Sequence, residues 1–404
     1  MLSALHHAAW TISLPITRGR SSSDVVIGLE TGMTSGKRAV IVCSQDPFAN
    51  GVKPKEIEKY LKSNGYDSVL LFNSGAISRL GGAGIRRRLP GLNVKKVELY
   101  LCEGLLVVLS KFGTSARRAA TSLLLWRVLV LRGQVLGFVL RSRGNFDLLI
   151  CESNLDTALT LADRIADVQI LDLPSPFAEE QLFGGLLSQA GYERVRKVEI
   201  AAYAAADYLS FHWHTYADYV RDKKYQGNNF LALTYGTNPK LKLAKYDDHP
   251  KIVYLGFLGD YWVNLPLLAQ LCKLCPHLEV YGGPEPPASL GINYKGYAPS
   301  TDVVANYQFG LVTISDDELR RHSFSSKHLE YASYGLPVLT PVWRKDEALC
   351  GSSIYYTAEN FLAQVRGASM RQEWERLHAA ALKDAERFSW PSALKALDFQ
   401  PRPS

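Results

Sequence analysis

Ser325-Ser-Lys-His-Leu-Glu-Tyr-Ala-Ser-Tyr-Gly-Leu-Pro-Val-Leu-Thr-Pro341 holds a helix start, a helix, a stop and a strand within one short stretch. Its spacing predicts a helix over Lys327 to Tyr334, opened by two serines and ended by Gly335, with Pro337-Val-Leu339 as the buried strand after it. Lys327 and Glu330, three residues apart, share one helical face. The start of such a helix offers unpaired N–H groups and a positive dipole to a phosphate, and Lys327 adds a mobile charge. Glu330, one turn deeper, can accept hydrogen bonds from a vicinal diol. Phosphate donors beside a carboxylate suit a nucleoside diphosphate, although a capped surface helix with a Lys/Glu pair has the same spacing.

Outward from this stretch, short β-rich runs alternate with helical patterns, the signature of parallel α/β units. On the C-terminal side, strands are expected at Lys251–Leu255, Leu278–Tyr281 and Phe309–Ile314, with a helix over Leu265–Leu274. Nearer the N-terminus, strands are expected at Arg38–Cys43, Asp67–Phe72, Asp147–Cys151, Val168–Leu171 and Tyr208–Phe211, with a helix over Pro54–Ser63. Gly236-Thr-Asn-Pro239 and the charged stretch to Lys251 read as a linker. The expected fold class is therefore α/β, with two doubly wound Rossmann-like domains facing across a cleft and ligands at the carboxyl ends of their strands. The boundaries are a flexible extension over 1–35, an N-terminal domain over 36–238, a C-terminal domain over 239–385, and a final segment, 386–404, that crosses back.

The 404 residues, 47% hydrophobic and 21% charged, suffice for two buried cores. Six cysteines, at 43, 102, 151, 272, 275 and 350, are too scattered for a secreted disulfide framework, so a cytoplasmic location is expected. Cys272 and Cys275 lie on an apolar helix and read as packing residues. The net charge of +7 is concentrated: residues 79–143 carry thirteen Lys/Arg against Glu98 and Glu103. A solvated face or an anionic partner explains this equally, and with few aromatics interleaved, nucleic acid is not expected. No run of about twenty uncharged apolar residues is present. Thr121 to Leu140 comes nearest, interrupted by Arg127, Arg132 and Gln134, and reads either as a core helix or as a segment in a headgroup layer with its arginines outward.

The Ser325–Pro341 phrase resembles the nucleotide-sugar signature of GT-B fold glycosyltransferases of the family 4-like, group 1 type. Three further features agree in order. Tyr254-Leu-Gly-Phe-Leu-Gly259 is a strand ending in a glycine loop, Gly296-Tyr297 precedes the strand at Phe309, and Phe388-Ser-Trp390 precedes a last helix. The resemblance covers about residues 250–395 and implies a C-terminal domain that holds a nucleotide-sugar, UDP- or GDP-linked, with the carboxylate matching Glu330 on the donor ribose. Gly256, Gly259, Ser325, Ser326 and Lys327 fall near the diphosphate, with Arg321 as a further neutralising cation. It implies no cofactor and no metal, the nucleotide-sugar being a substrate. The acidic residue that many retaining members carry eight positions before Glu330 is His322 here, so the stereochemical outcome does not carry over; His322 is a candidate for contact with the transferred sugar.

A base for the acceptor hydroxyl should come from the N-terminal domain. Asp172, closing its strand before Pro174, is the first candidate, with Glu152, Asp156, His212 and His214 as alternatives. An ordinary turn or cap role for Asp172 is equally consistent. Asn50 and Gly51, after the first strand, face the cleft by topology. The leading expectation is hexosyl transfer to a lipid-linked, polysaccharide-precursor or other glycan acceptor at the cytoplasmic membrane face, with residues 79–143 as a peripheral contact. A 2-epimerase on the same fold and a non-catalytic scaffold are the alternatives.

Overall fold

The computed structural model describes residues 36–43, 52–73, 90–152, 161, 164–227, 229–259, 263–298 and 300–398; the expected N-terminal extension lies outside them. The N-terminal half runs β1 (Lys37–Cys43), α1 (Val52–Ser63), β2 (Tyr66–Asn73), α2 (Pro90–Ser110), α3 (Thr114–Arg141), β3 (Phe146–Glu152), β4 (Ala166–Leu173), α4 (Phe177–Phe183), α5 (Gln189–Ala205), β5 (Tyr208–Phe211), α6 (His214–Lys223) and β6 (Phe230–Leu231). The C-terminal half continues with β7 (Ile252–Leu255), α7 (Leu265–Leu274), β8 (Leu278–Tyr281), β9 (Phe309–Leu311), α8 (Glu318–Arg321), α9 (Ser326–Ser333), β10 (Val338–Pro341), β11 (Ser353–Tyr356), α10 (Phe361–Ala368), α11 (Arg371–Arg387) and α12 (Trp390–Leu394).

The strands form two sheets, ordered β2-β1-β3-β4-β5-β6 and β11-β10-β9-β7-β8, and every pairing is parallel. Central strands such as β1 are covered on both faces: Ala39 and Ile41 pack in one cluster and Val40 and Val42 in another, which explains their unbroken apolar run. The expected strand over Phe309–Ile314 stops at Leu311; Val312 N–H still donates to the Leu339 carbonyl at 2.9 Å, and Val312 to Ile314 line a pocket.

The apolar stretch Thr121–Leu140 is a core helix. It belongs to α3, which is long and apolar enough to cross a membrane, but 56% of its most apolar 18-residue window is buried. Leu125, Val128, Leu129, Leu136 and Leu140 pack against the sheet. Arg127 and Arg132 do not reach outward as the headgroup reading required; they pair with Glu98 and Glu103 of α2 at 2.6 and 2.7 Å.

The two halves are tied by two chain crossings that pair with each other. Thr237 N–H donates to the Phe388 carbonyl at 2.9 Å, and Trp390 N–H donates to the Thr237 carbonyl at 3.1 Å. After α11, the chain inserts Trp390, Leu394 and Leu397 into the N-terminal core beside Ile41, Ile57 and Leu61. Each such side chain contributes roughly 1.5–3 kcal/mol of burial, enough to hold the returning segment.

Candidate functional site

On the C-terminal side, α9 starts where β9 and β10 point their carboxyl ends. Ser325 occupies its N-cap in extended conformation, and its hydroxyl makes no capping bond to the first turn. Gly335, with φ +75°, ends the element in the left-handed region that favours glycine. Tyr331, on the buried face, fixes the helix to the sheet: Leu255 N–H donates to its hydroxyl at 2.9 Å, and that hydroxyl donates to the Leu311 carbonyl at 3.3 Å.

Lys327 lies over the loop that follows β7. A Cβ added at Gly256 would stand 2.0 Å from Lys327 Cε, so the missing side chain there is what lets the lysine pass. Its Nζ sits 5.6 Å from the Tyr254 ring centroid. Tyr254, Thr313, Ser323, Phe324, Ser325 and Lys327 are among the walls of an open pocket of about 140 Å³. Gly259 backs onto Pro284. Glu330 is 34% exposed one turn along, 3.4 Å from Lys240 Nζ. The structure therefore brings Gly256, Ser325, Ser326 and Lys327 together at one pocket, with Glu330 beside it.

Arg321 and His322 are placed differently from the sequence expectation. Arg321, at the end of α8, is exposed and pairs with Asp316 at 2.8 Å. His322 caps α8, and its ring packs 5.1 Å from Tyr219 of α6, turned toward the N-terminal half. A buried cation that the sequence reading missed stands nearer: the Arg344 Nε donates to the Ser323 carbonyl, and its guanidinium lies 3.3 Å from Asp346. Arg344 follows the carboxyl end of β10, and the rule that ligands gather at strand ends was the signal that could have found it.

The N-terminal side gathers charged groups from four elements. Parallel register sets Glu152, at the end of β3, beside Asp172 of β4, and Asp172 beside Ser210 of β5, so His212 follows directly at the same sheet edge. His212 Nε2 lies 3.9 Å from Glu152 Oε1 and 4.0 Å from Asp172 Oδ2. Lys53 of α1, a residue without any sequence signal, places Nζ 2.6 Å from Asp172 Oδ2 and donates to the Leu233 carbonyl at 2.9 Å. Asp172 does not close its strand; Leu173 follows within β4, and the carboxylate is fully buried behind Lys53. An acceptor cannot touch it there, which corrects its expected role as the contacting base. Burial raises the Asp172 carboxyl and Lys53 opposes that shift; burial also pushes His212 well below its ordinary range, with Lys53 acting in the same direction. The imidazole is therefore neutral near pH 7 and 17% exposed.

One residue along, the chain joins the two sides. Trp213 stacks on Phe324, a wall of the pocket, with centroids 4.0 Å apart and planes at 11°. Its indole N–H donates to Asp346 at 2.6 Å, and Thr215 Oγ1 donates to the His322 carbonyl at 2.7 Å. Tyr235, 5.9 Å from the His212 ring, has its phenol pushed up to about 12 by burial, then by Glu330 of one half and Glu152 of the other. Carboxylates of both halves thus act on one phenol. His214 starts α6 and is exposed, while Asn50, Gly51 and Asp156 lie outside the described residues. Among the described residues no group of three His, Cys, Asp or Glu side chains is placed to hold a metal ion.

No protein-family model matches the chain, and no curated protein matches its sequence. Solved structures do. Sucrose-phosphate synthase from Thermosynechococcus elongatus aligns over 89% of this chain and 96% of its own, with a TM-score of 0.61 at 12% identity. A glycosyltransferase from Rickettsia africae aligns over 91% of this chain and 100% of its own, with a TM-score of 0.53 at 11% identity. The chain shares the fold of these glycosyltransferases, the GT-B architecture of two parallel α/β sheets across a cleft.

Proposed function

We propose that this chain transfers a hexosyl group from a UDP- or GDP-linked sugar, held by residues 239–385, to an acceptor hydroxyl presented by residues 36–238. The diphosphate sits at the start of α9, where N–H groups, Lys327 and the glycine turn at Gly256 meet it, and Glu330 accepts from the ribose. In the reaction the bond from the sugar's anomeric carbon to the diphosphate oxygen breaks and a new bond forms to the acceptor oxygen. Lys327, with the helix start, neutralises the departing nucleoside diphosphate. His212, neutral and partly open to the cleft, takes the acceptor proton, and Glu152 stabilises the imidazolium that results. Asp172 and Lys53 act behind His212 as positioning residues. No cofactor or metal has a role in this reading.

The observation that carries it is the stacking of Trp213, next to His212, on Phe324 of the pocket, because it joins the proton acceptor to the donor site. The excess of basic residues over 79–143 supports a lipid-linked or polysaccharide-precursor acceptor at the cytoplasmic face of a membrane. The test incubates the purified chain with a panel of nucleotide-sugars, with and without lipid-linked acceptors. Acceptor-dependent release of nucleoside diphosphate, lost in His212→Asn, is expected. Release without any acceptor product would favour epimerisation or hydrolysis, and no turnover with intact nucleotide binding would favour a scaffold.

A further inference from the structure

Helix α2 has two faces of opposite fate. Leu99, Cys102 and Leu106 pack on the core of the N-terminal half. The opposite face carries Val94, Val97, Leu101, Leu105 and Val108, spaced i, i+3, i+7, i+11 and i+14, all exposed, and Phe112 extends the row into the turn before α3. Val94 is 72%, Leu101 68% and Phe112 74% exposed. At 100° per residue the five helical positions fall within an arc of about 80°, a continuous apolar stripe instead of scattered surface residues.

The Phe112 end of the stripe is basic. Lys111 and Arg117 lie beside Phe112 in the turn and at the start of α3, whereas Lys95 and Lys96 are on the other side of α2, with Lys95 Nζ over the Phe138 ring. The two acids of α2 are cancelled, since Glu98 pairs with Arg127 and Glu103 with Arg132. Cationic charge is therefore in excess at the Phe112 end of the stripe, and an apolar protein partner would not require it. An apolar face with a cationic end matches the acyl boundary and the anionic headgroups of a lipid surface.

We infer that the exposed face of α2, with Phe112 at its end, docks this protein in the plane of an anionic bilayer. The apolar row enters the acyl boundary while Lys111 and Arg117 meet the phosphates. The contact belongs to α2, whereas the more deeply buried α3 supports it from within. This deepens the membrane-face part of the proposed function and is independent of sugar transfer.

The test is flotation of the full chain with vesicles of phosphatidylcholine containing 30% phosphatidylglycerol, and with phosphatidylcholine alone, over a salt series. Neither donor nor acceptor is present, so failure here and failure of the transfer reading are separate results. Stronger binding to the anionic vesicles, weakened by salt, is expected. Leu101→Glu/Leu105→Glu should lower vesicle affinity at least tenfold, and Lys111→Gln/Arg117→Gln should lower it mainly at low salt. None of these positions is buried, so the variants should melt as the parent does; Phe112→Ser gives the same test outside the helix. Vesicle binding unchanged by the glutamate pair and by Phe112→Ser overturns the inference. So does a dimer in sedimentation that the glutamate pair dissociates without any vesicle binding, or vesicle binding that appears only on removal of residues 1–35.

Discussion

The two sides of the cleft are built in different ways. On the C-terminal side, one stretch of chain supplies helix start, lysine and carboxylate, and a single glycine turn completes the contact, Gly256 beneath Lys327. On the N-terminal side, Lys53, Glu152, Asp172 and His212 come from four elements far apart in sequence and meet only because parallel register aligns the ends of β3, β4 and β5. The first is a local arrangement with ordinary surface charges. The second is a buried ionic network whose members depend on one another.

That difference makes the largest expected effect one of stability. Asp172→Ala leaves the Lys53 ammonium buried without its carboxylate, and the loss should be about 3–5 kcal/mol in chemical denaturation. The paired change Lys53→Met/Asp172→Leu should recover most of it. Equal losses for the single and double variants would mean that the network is not coupled.

On the other side, Lys327→Ala should leave the melting temperature near that of the parent while weakening nucleoside diphosphate binding by about 10- to 100-fold, the scale of one charged hydrogen bond. A large thermal loss with normal binding would reverse the comparison.

Acid should act on both halves through buried imidazoles. His328 is lowered to about 3, first by burial and then by Arg344, with Asp346 opposing, and His212 is lowered by burial and Lys53. In the unfolded chain each titrates near 6.5, so below that pH the unfolded state gains protons that the folded state does not accept. Their contribution is intact above pH 6.5 and is lost as pH falls from 6.5 toward about 3, by about 1.4 kcal/mol per pH unit for His328. His328→Gln should flatten the dependence of stability on pH between 6 and 4; an unchanged slope would remove His328 from this account.

The smallest effect is the most local. Gly256→Ala brings a methyl group against Lys327 Cε, the movable end of a flexible side chain, so the lysine shifts and the fold holds. Nucleotide affinity should fall by about tenfold, about 1.4 kcal/mol, with little change in melting.

The same contrast explains what was legible in the sequence. The helix from Ser326, its glycine stop and the strand after it lie in one contiguous phrase, and their pattern of caps and apolar spacing could be read directly. The alternation of strands and helices gave β1 to β5 and β7 to β10, whose apolar runs stand out in the sequence; β6, only two residues long, and β11, buried on alternate residues, are edge strands and were not read. Lys53 and Arg344 were not legible, because their roles come from partners in other elements, Asp172 in β4 and the Ser323 carbonyl. Asp172 was visible as a strand-end carboxylate, yet its burial behind Lys53 was not. Composition could not distinguish the helix that is apolar because it is buried, α3, from the one whose apolar stripe faces outward, α2; only packing separates them.

The central claim is that the start of α9 holds a nucleoside diphosphate and that His212 serves it from across the cleft. Calorimetric titration of UDP and GDP into the parent, Lys327→Ala and His212→Asn proteins tests it most directly. One nucleotide should bind the parent and His212→Asn alike and bind Lys327→Ala about 10- to 100-fold more weakly, the scale of one lost charged hydrogen bond. Folded parent protein that binds neither nucleotide, or binding that Lys327→Ala leaves unchanged, would contradict the account.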